Sequence, residues 1–212
     1  MIIDPCRQGD ESWFLAHAGV LGASSADQVL TTNGDQSKSR QKLIYRLAGE
    51  LLIGRREEGF SSAAMARGVE MEEEARLAFS FITGIEVEQV GFVYADESRR
   101  WGCSPDGLIA GARQGLEIKC PTLPVHVEYL VDGKLPTAYF QQVQASLAAT
   151  GYESWHFWSY YPGCPPLHIV VGRDEAWIEA YRKAAECLCC EVSTVYERIS
   201  GAGKDSGYSV QS

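Results

Sequence analysis

No apolar run in the 212 residues is long enough to span a bilayer, and the opening MIIDPCRQGDESW has no basic end followed by a hydrophobic stretch. A membrane anchor and a secretory leader are therefore not expected, and the protein is expected to be cytoplasmic with no membrane partner. The seven cysteines are an odd set without framework spacing, in a chain long enough to be stable without bridges, which excludes a disulfide scaffold and leaves free thiols. An excess of positive charge is missing as well: 19 Lys and Arg stand against 28 Asp and Glu, a net charge of -9. That balance excludes a protein that coats nucleic acid by bulk electrostatics. It leaves room for an enzyme that collects carboxylates around divalent cations. With 45% hydrophobic and 10% aromatic residues, disorder is excluded too, and the length fits one domain over 1–200 followed by a flexible Gly/Ser-rich tail over 201–212.

Hydrophobic periodicity divides the chain. Helices are predicted from Asp10 to about Ala18, from Ser24 or Ser25 through Leu30, from Ser37 to about Ile53 with Leu43, Ile44, Leu47 and Leu51 at helical spacing, and from Ser61 or Ser62 to Gly84. From Ile85 to Ala110 the residues alternate or run β-branched and aromatic, which predicts a strand meander. Leu116 to Cys120 reads as a strand stopped by Pro121. Helices over Pro124 to about Val131 and Pro136 to Thr150, strands over Ser154 to Tyr161 and Leu167 to Val171, and a helix from Asp174 to about Ile199 complete the order. This order predicts an α/β fold with a mixed central β-sheet flanked by helices. Between Lys38 and Arg56, six Lys and Arg stand against the single acid Glu50, a basic island that is either a nucleic-acid surface or a solvated helix face.

The residues that carry chemistry begin with Asp106 in CSPDGLI and continue with Glu117 and Lys119 in GLEIKCP. Asp106 closes one strand and Glu117 lies on the next, so a hairpin brings both carboxylates to one edge. Strand alternation points Glu117 and Lys119 to one side and Ile118 into the core. Two converging carboxylates suit a hard cation such as Mg²⁺, which keeps several waters, and an ammonium beside it orients or helps deprotonate a water and offsets phosphate charge. The plainer reading is a Glu117–Lys119 surface pair with Asp106 as a turn former. Glu72 falls on the stripe of Met65, Gly68, Val69, Ala75 and Phe79, where a carboxylate needs a cation, either a metal or a buried arginine. Gln142, with Tyr139 near it on the same side, is either a neutral phosphate donor or part of a polar helix face.

AxGxxxExxAR from Ala66 to Arg76, CSPDGL, GLEIKCP and YFQQVQ from Tyr139, together with QGDESW and the pair Ala23–Ser24, resemble the phage lambda exonuclease family. This is the YqaJ-like viral recombinase branch of the PD-(D/E)xK nucleases, and the likeness covers Gln8 to Arg173. The resemblance implies a Mg²⁺-dependent, processive exonuclease that degrades one strand of linear double-stranded DNA from a 5′ end to mononucleotides. It implies a ring-shaped homotrimer and a single-strand annealing protein as partner. In its terms Asp106, Glu117 and the main-chain carbonyl of Ile118 bind metal, Glu72 helps hold a second ion, Lys119 assists the water, and Mn²⁺ is an expected substitute. Ser24, Ser104 and Gln142 would contact a 5′-phosphate, with His17 standing where the pattern has an arginine. A nuclease of the same fold that cuts internally and a silent DNA-end-binding subunit are the alternatives.

Three other features are set aside. GAGKDS at Gly201 to Ser206 lacks the first glycine and the strand of a phosphate loop. The cysteines of CLCC, Cys187 to Cys190, have no second ligand pair and read as helix thiols. Trp155, Phe157 and Trp158 with Tyr160 and Tyr161 read as sheet core rather than a base-stacking platform.

Overall fold

The computed structural model describes residues 1–6, 10–56 and 63–205. Gln8, the Ser61 or Ser62 cap, the side chains of Ala66, Met65, Gly68 and Val69, and the tail from 206 lie outside the described residues. No helix among the described residues is long and apolar enough to cross a membrane.

Two mixed sheets form the framework, where one central sheet was expected. In the first, β1 (Ile2–Ile3), β4 (Val93–Tyr94), β5 (Trp101–Cys103) and β2 (Leu21–Gly22) lie side by side in that order, antiparallel except for β5 with β2. In the second the order is β3 (Val87–Glu88), β6 (Gly107–Ile109), β7 (Gln114–Lys119), β8 (Ser154–Ser159) and β9 (Leu167–Gly172), antiparallel except for β7 with β8. The expected meander from Ile85 to Ala110 is thus split: its outer strands join the second sheet and its inner strands the first. Alternation fixes which face a strand buries but not which strand it pairs with.

The helices are α1 (Glu11–Ala16), α2 (Arg40–Ile53), α3 (Ala63–Thr83), α4 (Leu123–Asp132), α5 (Phe140–Thr150) and α6 (Glu175–Asp205). Gly84 after α3 and Gly151 after α5 take the left-handed conformation, φ 71° and 67°, that ends a helix at glycine, as their positions predict. The expected helix after Ser24 is a tighter 3₁₀ turn over Ala23–Gln28, and α2 begins at Arg40, after a turn in which the Arg40 N–H donates to the Ser37 carbonyl. At the far end α6 continues to Asp205 rather than stopping near Ile199.

Helix α5 is buried along nearly its whole length, against the first sheet on one side and α6 on the other. Val143, Leu147, Trp177, Tyr181 and Leu188 belong to this core, with Trp177 stacked on Tyr181. A second core lies between α3 and the second sheet, where Ala75 and Phe79 meet Leu116, Ile118 and Trp158. Trp155, Phe157 and Trp158 are fully buried as expected of a sheet core, whereas Tyr160 reaches out to Glu74. Much of the basic island is used inside the fold. Arg40 makes a two-pronged pair with Glu191 of α6 at 2.8 Å, and Arg46 pairs with the buried Glu50 at 2.8 Å.

Where β4 and β5 pair, Gly102 is opposite Tyr94, and a Cβ on Gly102 would overlap the Val93 carbonyl oxygen and the Phe92 ring. Backbone cannot yield as a flexible side chain does, so Gly102→Ala is expected to cost about 3 kcal/mol. A fall in the urea midpoint at unchanged slope checks this.

Candidate active site

The hairpin of β6 and β7 pairs Gly107 with Leu116, and the same register continued by one residue sets Asp106 opposite Glu117. The Asp106 N–H donates to the Leu116 carbonyl at 3.1 Å. In return, the Ile118 N–H donates to Asp106 Oδ2 at 2.6 Å, which ties the carboxylate to the neighbouring strand. Glu117 is 2% exposed, and its Oε1 accepts from Lys119 Nζ at 2.5 Å and Gln142 Nε2 at 2.7 Å. Lys119 Nζ also lies 5.1 Å from the ring centre of Tyr139, which packs on Phe157. Gln142 sits in the first turn of α5, so that helix closes one wall of the site while β7 forms its floor.

Glu72 comes in from α3. Its Oε1 accepts from Arg76 Nη2 at 2.5 Å, and Arg76 Nε donates to the Asp106 carbonyl oxygen at 2.8 Å. The cation expected beside Glu72 is therefore present as an arginine one turn along the same helix, an i,i+4 pair that its spacing permits. Glu70, Glu73 and Glu74 are exposed, as their helical phase predicts.

The electrostatics are those of crowded carboxylates. Burial, then the neighbouring Glu117, push the Asp106 carboxyl well above the usual range. Burial also raises Glu72; Arg76 pulls it back and Glu117 adds to the rise. Burial alone would lower Lys119, but Glu117 and Asp106 outweigh it and hold the ammonium charged.

An oxygen-only donor set of mutually repelling carboxylates fits a hard divalent cation, which relieves that repulsion. Among the described residues no group of three or more His, Cys, Asp and Glu side chains is placed to hold a metal ion by itself. Asp106 and Glu117, with the main-chain carbonyl of Ile118, which lies between Glu117 and Lys119 in sequence, are the residues that could hold such an ion, with water completing its shell. Glu72 lines the same space.

A single cleft of about 480 Å³ gathers Glu72, Asp106, Glu117, Ile118 and Lys119 with Ser24, Ser104, Tyr139 and Gln142. Nine of the ten residues singled out in the sequence thus meet. His17 does not. It is fully buried behind the cleft, its Nδ1 is 2.6 Å from the Trp13 carbonyl, and its ring packs among Trp13, Phe92 and Tyr94. Burial lowers its pKa, which favours the neutral ring, so the expectation that His17 meets a phosphate as a cation is corrected. In its stead the cleft is lined by Arg56, a residue of the basic island that the sequence did not single out.

His156, beside Gln114 and His168 in the second sheet, shares the character of His17. Burial and then His168 bring its pKa down to about 4. A base with a depressed folded pKa contributes stability that is present above the unfolded value, about 6.5, and is lost as pH falls toward about 4. Urea midpoints measured between pH 7.5 and 4.5 should fall more steeply for the wild type than for His156→Gln. Taking this difference cancels the opposite contribution of Asp106 and Glu72.

Comparison with solved structures gives the same class of fold. LHK-Exo, an alkaline exonuclease from Laribacter hongkongensis, superimposes with a TM-score of 0.82 at 30% identity, covering 93% of this chain and 100% of that one. LHK-Exo in complex with dAMP gives 0.82 at 31% identity over the same shares. A phage-related exonuclease from Haemophilus somnus 129PT shares the fold at a TM-score of 0.65 and 10% identity, over 85% of this chain and 96% of that one. No curated protein matches the sequence. The fold is that of the alkaline exonucleases, a nuclease class. Residues 12–153 match the YqaJ-like viral recombinase domain, and the chain belongs to that family.

Proposed function

We propose that the protein is a Mg²⁺-dependent, processive exonuclease that removes 5′-mononucleotides from one strand of linear double-stranded DNA and leaves a 3′ single strand. The observation that carries this is the convergence of Asp106, Glu117 and Lys119 at the floor of one cleft whose walls carry Ser24, Ser104 and Gln142. The complex of the similar LHK-Exo with dAMP supports a nucleoside monophosphate as product.

A bound divalent ion, or a pair of them, supplies charge for the phosphoryl oxygens and acidity for the attacking water. The chain's own residues do the rest. Asp106 and Glu117 set the position of that charge, because each is tied to a neighbouring strand or helix. Lys119 holds a charged ammonium beside Glu117 at the floor, where it orients the water and offsets phosphate charge. Gln142 donates to Glu117 and so keeps that carboxylate aimed into the cleft.

Linear duplex labelled at the 5′ or the 3′ end, incubated with Mg²⁺, Mn²⁺ or EDTA, tests the reading. The 5′ label is released first with either metal, nothing is released in EDTA, and closed circular duplex stays intact. Release of the 3′ label first, or cutting of the circle, overturns it.

The proposed assembly is a closed homotrimer around the duplex, which lets modest basic surfaces act together over many turnovers, with a single-strand annealing protein receiving the 3′ strand. Light scattering should give about three times the chain mass of 23.3 kDa. A monomer mass at micromolar concentration removes the trimer.

A further inference from the structure

We propose that Tyr139 is a positioning residue for hydrolysis: the face of its ring, braced by Phe157 and Tyr129, fixes the direction of the Lys119 ammonium. The inference rests on the nuclease reading above and adds to it the group that aims the lysine.

Spacing makes the contact possible. Glu117 and Lys119 are two apart on β7 and share one face of the strand. Tyr139 closes the 3₁₀ turn Thr137–Tyr139, and Gln142, three residues on, lies in the first turn of α5. Residues three apart on a helix are neighbours on one side of it. The two pairs meet across the cleft floor: Gln142 Nε2 donates to Glu117 Oε1 at 2.7 Å, and Lys119 Nζ lies over the Tyr139 ring, 5.1 Å from its centre. The start of α5 thus grips both members of the Glu117–Lys119 ion pair, the acid by a hydrogen bond and the base by a ring.

The ring is itself held. It packs on the fully buried Phe157, with centroids 5.2 Å apart, and Phe157 stands opposite Glu117 where β7 and β8 pair. Tyr129 of α4 meets it edge-on at 6.3 Å, and the Tyr129 hydroxyl donates to the Tyr139 hydroxyl at 3.5 Å. Two further elements therefore determine where the ring lies. An ammonium has three N–H donors on a flexible four-carbon stem. In Lys119 one donor goes to Glu117 Oε1 at 2.5 Å, and the ring face attracts the charge from a second direction without offering a competing carboxylate. The third is left for the cleft, which Lys119 and Tyr139 both line. Glu117 alone would let the stem pivot about one contact; the ring removes that freedom, so a donor already faces the space where water and phosphate meet.

Steady-state kinetics on linear duplex at saturating Mg²⁺ test the role. Tyr139→Leu, which keeps bulk without a π face, should lower kcat about tenfold, the scale of a desolvated cation–π contact, with KM changed by no more than about twofold. Tyr139→Phe returns the ring and should restore most of that loss. A leucine variant with raised KM and unchanged kcat would make Tyr139 a DNA contact, a phenylalanine variant as slow as the leucine one would place the effect in the hydroxyl, and wild-type kinetics in Tyr139→Leu would give the ring no part; each overturns the proposal. A second readout does not depend on cleavage. In protein labelled with ¹³C at lysine Cε and kept in EDTA, the ring current of Tyr139 shifts the Lys119 methylene protons upfield of those of the other five lysines, the signal being assigned by its loss in Lys119→Met. The shift survives in Tyr139→Phe and disappears in Tyr139→Leu. A wild type that cleaves nothing yet shows the shifted signal refutes the nuclease and keeps the hold of Tyr139 on the lysine, whereas an active wild type with an unshifted signal overturns this inference alone. Should Tyr139→Leu not fold, the wild-type signal and Tyr139→Phe carry the test, and an unshifted signal or a tenfold loss of kcat in Tyr139→Phe overturns it.

Discussion

Asp106→Asn and Lys119→Met should each lower kcat on linear duplex by at least about three orders of magnitude, roughly 4 kcal/mol of transition-state stabilisation. The choice of variant matters because both residues also hold structure. An asparagine at 106 still accepts from the Ile118 N–H, so β6 and β7 stay paired while the charge that would hold a metal is gone. A methionine at 119 fills the space over Tyr139 but leaves the 2% exposed Glu117 with Gln142 as its remaining side-chain donor. Some loss of stability is expected from that second change, on the order of 1 to 3 kcal/mol for a buried acceptor stripped of a charged partner. Far-UV circular dichroism and a urea titration separate the two effects, since a folded but silent variant locates the loss in the chemistry. Wild-type-like cleavage by either variant would sink the assignment of the site.

The floor of the cleft was legible in the sequence because everything that builds it is local. Asp106 and Glu117 are joined by a short turn, and the period of two in a strand decides that Glu117 and Lys119 share a side, whatever the rest of the chain does. Glu72 was legible by helical phase, and the spacing of Arg76 four residues on was the signal for its partner. His17 and Arg56 show where such reasoning stops. Helix α1 has only six residues, too few for phase to say which side is buried, and the answer comes from Tyr94 of β4 and Phe92 just before it, roughly eighty positions away. Arg56 becomes a cleft residue because the chain after α2 returns to α1 and hydrogen-bonds Phe14, a contact that no periodicity encodes. The division into two sheets escaped for the same reason: it depends on which two-residue strands pair, and strands that short carry almost no pattern.

Arg76 is the residue through which the α3 carboxylate and the β6–β7 hairpin are coupled, and Arg76→Ala should cost about one to two orders of magnitude in kcat/KM. Its Nη2 neutralises Glu72 and its Nε holds the Asp106 carbonyl, so removing it leaves Glu72 facing Glu117 with only the weaker pull of Lys119 to offset it and frees the backbone that aims Asp106. Charge-assisted hydrogen bonds of this kind are worth roughly 1.5 to 3 kcal/mol each, which sets the scale of the loss if most of it reaches the transition state. Because the arginine acts by positioning oxygen ligands, the Mg²⁺ concentration for half-maximal rate should move as well, and Arg76→Lys should restore part of the rate by returning the charge while leaving the Asp106 carbonyl without its Nε donor. A purely structural role predicts something else: a lower urea midpoint with an unchanged Mg²⁺ requirement. Titrating Mg²⁺ against initial rate for the wild type and both variants decides between them, and an Arg76→Ala enzyme with wild-type rate and wild-type Mg²⁺ dependence would show that Glu72 and Asp106 keep their geometry unaided.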